Sequence, residues 1–249
     1  MSTTAENQDE GLAEGTLMSH LVELRNRLFI MFGSVFAVFM VLFPFSKPIF
    51  EFASEPLRSV LPGGQLIATG TASPVIATLK LSFYLALMIA MPVVLYQIWA
   101  FVAPGLYKKE KRFAFPLLAT SIVLFYVGLA FAYFVVFPLI FNFVVAFTPE
   151  SVTYMPDITD YIGFVMMLVL VFGFAFETPV ATVLIVWTGI TTVDKLGAAR
   201  PYVFLGAFIV GMLLTPPDVI SQIMLAIPVY LLYELGIIMS KLFKSRPVK

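Results

Sequence analysis

The sequence predicts an all-α membrane protein of six transmembrane helices with both termini on the cytoplasmic side. Three observations carry this expectation. Hydrophobic residues make up 60% of the 249 and charged residues only 12%, with a mean hydropathy of +0.98. A soluble domain carries roughly 25% charge, so a soluble globule is ruled out. The apolar residues fall in long unbroken runs rather than alternating, which excludes a membrane barrel of strands. The basic residues gather in four places, and an even number of spans puts all four on one side.

The runs follow one another in order. Between Arg27 and Lys47 lie 19 uncharged residues, between Lys80 and Lys108 27, and between Arg112 and Glu150 37. From Asp160 to Asp194 there are 33 residues, uncharged except for Glu177. From Arg200 to Asp218 there are 17 uncharged residues, and from Asp218 to Lys241 there are 22 residues, uncharged except for Glu234. One span needs about 20 apolar residues, so helices are expected over about 28–46, 78–101, 114–137, 161–187, 201–215 and 219–239. Before them stands an acidic tail, 1–17, with Glu6, Asp9, Glu10 and Glu14 and no basic residue. Behind them stands a basic tail, 241–249. The first run is longer than a signal-peptide core and reads as an uncleaved span.

The 37-residue run is long enough to hide two spans, but charge argues against it. Twelve of the 15 basic residues lie in four clusters: Arg25 and Arg27; Lys108, Lys109, Lys111 and Arg112; Lys195 and Arg200; and Lys241, Lys244, Arg246 and Lys249. With six spans all four clusters face the cytoplasm; with seven the last two would face out. The third helix therefore extends past the bilayer or tilts. Residues 46–76, rich in Pro and Gly, read as an ordered periplasmic cap. The fifth span is about 15 residues, or about 22 Å, against a hydrocarbon core of about 30 Å. Thr215-Pro216-Pro217-Asp218 makes a tight hairpin, with Asp218 placed to cap the sixth helix.

The composition also excludes chemistries. There is no Cys, and one His, His20, so no thiolate site and no imidazole base inside the membrane is expected. No cofactor, metal or catalytic residue is expected, and with 15 basic against 15 acidic residues no nucleic-acid partner either. What remains is polar groups in unusual places. Glu177 lies in Phe172-Gly-Phe-Ala-Phe-Glu-Thr-Pro179, where a charge costs a few kcal/mol by insertion scales and Pro179 kinks the helix. It is either a residue satisfied at that kink or a polar docking or relay site. Thr215, Ser221 and Gln222 either satisfy the ends of the hairpin helices or form a polar surface for another membrane helix. Glu23 stands four residues before Arg27, an ordinary helical pair. It and Glu110, set among lysines, are also carboxylates able to take an incoming guanidinium in a fork that Lys does not reproduce.

Several of these segments together resemble the TatC family. They are Ser19-His-Leu-Val-Glu-Leu-Arg-Asn-Arg-Leu28, Ala72-Ser-Pro74, Tyr96-Gln-Ile-Trp-Ala-Phe-Val-Ala-Pro-Gly-Leu-Tyr-Lys-Lys-Glu110, Phe172–Pro179, Arg200-Pro-Tyr202 and Gly211–Gln222. The resemblance runs from about residue 17 to about 240 in one order. It implies the polytopic core of the twin-arginine translocase, which exports folded proteins across the bacterial cytoplasmic membrane on the proton-motive force. The implied shape is a cupped bundle with short fifth and sixth helices. The implied partners are twin-arginine signal peptides, the single-span subunits TatA and TatB, other TatC copies and membrane lipids. The recognition acids fall on Glu23 and Glu110, with Arg25, Phe101, Pro104 and Tyr107 shaping the same surface. The intramembrane acid falls on Glu177, and the docking site for the single-span partners on Met212, Thr215 and Gln222. Pro56 and Asp218 match positions in the cap and hairpin. Without the resemblance, a proton-coupled small-solute carrier using Glu177 would be the competing reading, weakened by the absence of an internal repeat.

Overall fold

The computed structural model describes residues 3–58, 66–102, 111–149, 151–152, 154–214 and 219–244. Among these residues the regular structure is helical, apart from one parallel bridge between Ile67 and Asp157. Helix α1 (Thr3–Leu42) continues through a 3₁₀ turn, Phe43–Phe45, into α2 (Ser46–Arg58). Pro44 sits in the first positions of that turn, where its missing N–H interrupts nothing. α1 packs chiefly on α3 (Ser73–Val102), through Val35 against Ala86 and Ala90. Pro92 lies inside α3 and removes one hydrogen bond to the carbonyl of Met88. That carbonyl is taken instead by the Tyr126 hydroxyl at 3.2 Å, so the polar group is not stranded in an apolar bundle.

The long third run is one continuous helix. α4 (Lys111–Phe131) passes through a widened π turn, Ala132–Val136, into α5 (Phe137–Phe147). At 1.5 Å per residue, residues 111–147 extend about 55 Å, well beyond a 30 Å hydrocarbon core. The π turn precedes Pro138, whose ring needs the room and whose missing N–H breaks the ladder there. It also turns Ala132 and Val136 into the core.

α6 (Ile158–Ala175) is the centre of the bundle. Phe137, Ile140, Ile162, Val165, Leu168 and Phe172 are buried there together with Leu81 from α3 and Leu225 from the last helix. In lipid such contacts hold by close packing rather than by escape from water. Glycine makes the closest approach possible: a Cβ on Gly128 of α4 would lie 2.6 Å from the Phe172 carbonyl oxygen and 3.0 Å from Gly173 Cα. Asp157 caps α6, its Oδ1 accepting from the Thr159 amide at 2.8 Å and the Asp160 amide at 3.4 Å. Its Oδ2 accepts the Thr69 hydroxyl at 2.6 Å and the Thr69 amide at 2.9 Å. These bonds, those from Thr69 foremost, hold the carboxyl well below the ordinary value of 3.8. The same latch joins the loop before α3 to α6, and α2 is fixed beside it. Tyr161 donates to the Ala53 carbonyl at 2.9 Å, and Tyr133 to that of Phe52 at 3.1 Å while stacking on the Phe52 ring.

The fourth run breaks at Phe176–Glu177 and resumes as α7 (Thr178–Trp187). Gly189, at φ +76°, then turns the chain where a side chain would be strained. α8 (Val193–Ala198) leads to α9 (Arg200–Leu214) and α10 (Val219–Lys244). α10 packs on α7 and α9, and Gly236 lies so close to Pro179 and Thr182 that no Cβ would fit. Among the described residues five apolar segments are long enough to cross a membrane, the shortest being Gln222–Leu242 in α10, and α9 is a shorter apolar helix beside them.

Candidate functional site

Two polar assemblies meet the last turns of α3 from opposite sides. On one side is Glu23 of α1. Its Oε1 accepts both Nε of Arg27 at 2.9 Å and Nη2 at 2.5 Å, the helical pair expected from the spacing. Arg27 does not stop there: Nη1 donates to Gln97 Oε1 at 3.1 Å and Nη2 to the Ala100 carbonyl at 3.2 Å. The pair thus joins α1 to the end of α3. Glu23 keeps 38% of its side chain accessible, and no described residue donates to its Oε2. Arg25 is exposed beside it and reaches Asn26 at 3.4 Å. Phe101, half-buried, is on the same closing turn of α3.

On the other side of that turn is Glu177, at the break between α6 and α7. Trp99 donates its indole N–H to Ser121 Oγ at 3.4 Å, and the Ser121 hydroxyl faces the Glu177 carboxyl. The glycine crossing of α4 and α6 sets this meeting, because Ser121 is two turns from Gly128 and Glu177 one turn from Gly173. The Oε1 of Glu177 is buried and accepts no hydrogen bond from any described residue. An acceptor left in that condition at membrane depth calls for a donor or a proton.

A third group is at the crossing of α9 and α10. Gln222 donates to the Phe208 carbonyl at 2.7 Å, and a Cβ on Gly211 would lie 3.1 Å from Gln222 Cγ. Gln222 therefore ties the hairpin helices to each other, while Met212 next to Gly211 stays exposed on α9. Pro56 lies within α2. Glu110, Pro104, Tyr107, Thr215 and Asp218 lie outside the described residues. Among the described residues, no group of three or more His, Asp and Glu could hold a metal.

Sequence reasoning singled out the carboxylates and the Glu23–Arg27 pair but missed the groups on α3 and α4 that complete each site. Gln97, Trp99 and Ser121 were each legible as polar groups in an apolar run. It also passed over Glu234, which accepts Arg200 Nε at 2.5 Å and Nη2 at 2.9 Å on its two oxygens and the Tyr230 hydroxyl at 2.9 Å. That fork ties α9 to α10, and Phe204 meets the Tyr230 ring edge-on beside it.

Fold and site together define a multi-pass helical membrane protein with acids placed at the end and in the middle of its bundle. The family described as Sec-independent protein translocase protein (TatC) matches residues 19–228. The chain is 52% identical to the Sec-independent protein translocase protein TatC of Azotobacter chroococcum, covering 92% of this chain and 91% of that protein. It is 51% identical to the protein of the same name from Escherichia coli strain K12, over 92% of this chain and 90% of that one. A crystal structure of a twin arginine translocase receptor, TatC, superposes with a TM-score of 0.83 at 39% identity, covering 90% of this chain and 99% of the other. The chain belongs to the TatC family and is a protein-translocase subunit.

Proposed function

We propose that this chain is the receptor subunit that reads twin-arginine signal peptides and, with single-span TatA- and TatB-type partners and other copies of itself, exports folded proteins on the proton-motive force. Transport rather than catalysis is its task, in the cytoplasmic membrane of a bacterium, with both termini inside. The observation that carries the reading is Glu23: a carboxylate tied down at the end of the bundle, partly accessible, with one oxygen that nothing described in the chain engages. A signal peptide presents two adjacent guanidiniums followed by an apolar stretch. Glu23 and Glu110 supply charge-assisted forks for the guanidiniums, and Arg25, Phe101, Pro104 and Tyr107 shape the surface around them.

Glu177 takes the second role, as the intramembrane acid of a docking surface for a partner's membrane helix that Met212, Thr215 and Gln222 extend at the short helices. Pro56 and Asp218 keep the cap and hairpin in shape. The test is photocrosslinking from positions beside Glu23 and Glu110 to a twin-arginine precursor in membranes, with a twin-lysine precursor as control. Crosslinks confined to the arginine precursor support the reading; equal crosslinking, or none, removes the recognition site from these acids. For Glu177→Ala, export falls while the rim crosslinks persist. Export at the wild-type rate would make Glu177 a structural residue.

A further inference from the structure

Arg27 makes four hydrogen bonds with three nitrogens, and they fall into two pairs. Nε and Nη2 meet Oε1 of Glu23, whereas Nη1 and Nη2 meet Gln97 Oε1 and the Ala100 carbonyl on α3. Gln97 is 8% exposed, so that anchor is buried. A guanidinium is a rigid plane. Once two of its edges are fixed on α3, the direction of Nε is fixed too, and with it the place of Oε1. The orientation of the Glu23 carboxylate is thus set from a helix some 70 positions away in the chain.

We infer that Arg27 is a positioning residue that makes Glu23 selective for arginine over lysine; this rests on the reading of Glu23 as a recognition acid. Two effects combine. Arg27 cancels the charge of Glu23, and Arg25 adds a positive charge close by, so the rim holds little net attraction for a cation as such. What it offers is a partly accessible carboxylate held in place through Oε1, with Oε2 engaged by no described residue. A second guanidinium gains from that fixed position because its own donors form a fork, whereas an ammonium is a point charge and gains nothing from it. A carboxylate free to rotate, with its charge unmasked, would accept either.

The test is equilibrium binding of a synthetic twin-arginine signal peptide and its twin-lysine counterpart to the full chain with its partner subunits in native membrane vesicles. Arg27→Lys keeps the charge and loses the fork. Arginine-peptide affinity should fall about tenfold, the loss of one charge-assisted contact, with the lysine peptide unchanged. Arg27→Gln unmasks Glu23 and narrows the ratio from both directions, raising the lysine peptide. Gln97→Met removes the α3 anchor while preserving volume and the Glu23–Arg27 pair, and shifts the ratio in the same direction by less. It serves as the test even if the Arg27 variants fail to assemble. An equal loss of both peptides in these variants makes Arg27 merely structural and overturns the inference. So does an unchanged ratio while Glu23→Ala abolishes binding, an outcome that leaves the receptor reading standing. Wild-type binding in Glu23→Ala removes the receptor reading and the inference with it.

Discussion

Two carboxylate–guanidinium pairs in this molecule look alike on paper and differ in what they leave over. Glu234 engages both oxygens on Arg200 and receives Tyr230 as well. Glu23 receives Arg27 on a single oxygen. The first pair is closed on itself and fastens α9 to α10. The second fastens α1 to α3 and leaves one oxygen that no described residue engages. Asp157 belongs with the closed kind, its oxygens taken by Thr69, Thr159 and Asp160. Glu177 belongs with the open kind. On the proposed reading, the unengaged oxygen rather than charge separates the reading carboxylates from the structural ones.

The comparison can be broken by experiment, most forcefully at Glu23. Glu23→Ala should weaken twin-arginine peptide binding about ten- to a hundredfold, as loss of charge-assisted contacts implies, with the helical content of the purified chain unchanged by circular dichroism. Glu234→Ala should do the reverse, lowering the thermal unfolding temperature by a few degrees while peptide affinity stays put. Reversed results would show that saturation says nothing about role.

A control on packing falls between these in size. Gly128→Ala forces a methyl group against the Phe172 carbonyl and should cost about 1–3 kcal/mol, typical of overpacking. Gly163→Ala, with nothing within 4 Å of the new Cβ, should not destabilise. Denaturant titration of the two in one detergent decides it.

The smallest effect concerns Asp157. Its carboxyl is held below the ordinary 3.8, so its contribution is complete above that value and is lost as pH falls through the depressed one. Wild-type stability should therefore be flat with respect to this group from neutral pH down to about 4 and decline only in stronger acid. Asp157→Asn should lack that acid-dependent decline in a pH series of melting temperatures.

The fold was legible in the sequence because continuous apolar runs and clustered basic residues each constrain the number of spans. The π turn before Pro138 was not, since nothing in an apolar run marks where the helical ladder widens. The acids were legible by kind and depth: Glu177 is conspicuous in any apolar stretch. Of their partners only Arg27, four residues from Glu23, was. Whether Gln97 faces Arg27 and Ser121 faces Glu177 depends on how each helix is rotated, and that is fixed by contacts such as Gly128 on Gly173 that join distant parts of the chain. Glu234 was passed over for the same reason, because its pairing with Arg200 spans 34 positions.

The latch at the cap has a consequence for how the chain is made. Thr69 waits for Asp157, 88 positions later, and Ala53 waits for Tyr161, 108 positions later. Synthesis proceeds at roughly 5–20 residues per second, so on the order of ten seconds separates the two halves of each contact. Through that interval the first two spans are already made while the cap between them stands unfastened. The order of emergence from the ribosome therefore makes closure of the cap a late event in biogenesis, gated by the arrival of the fourth span rather than by the hairpin that carries the loop.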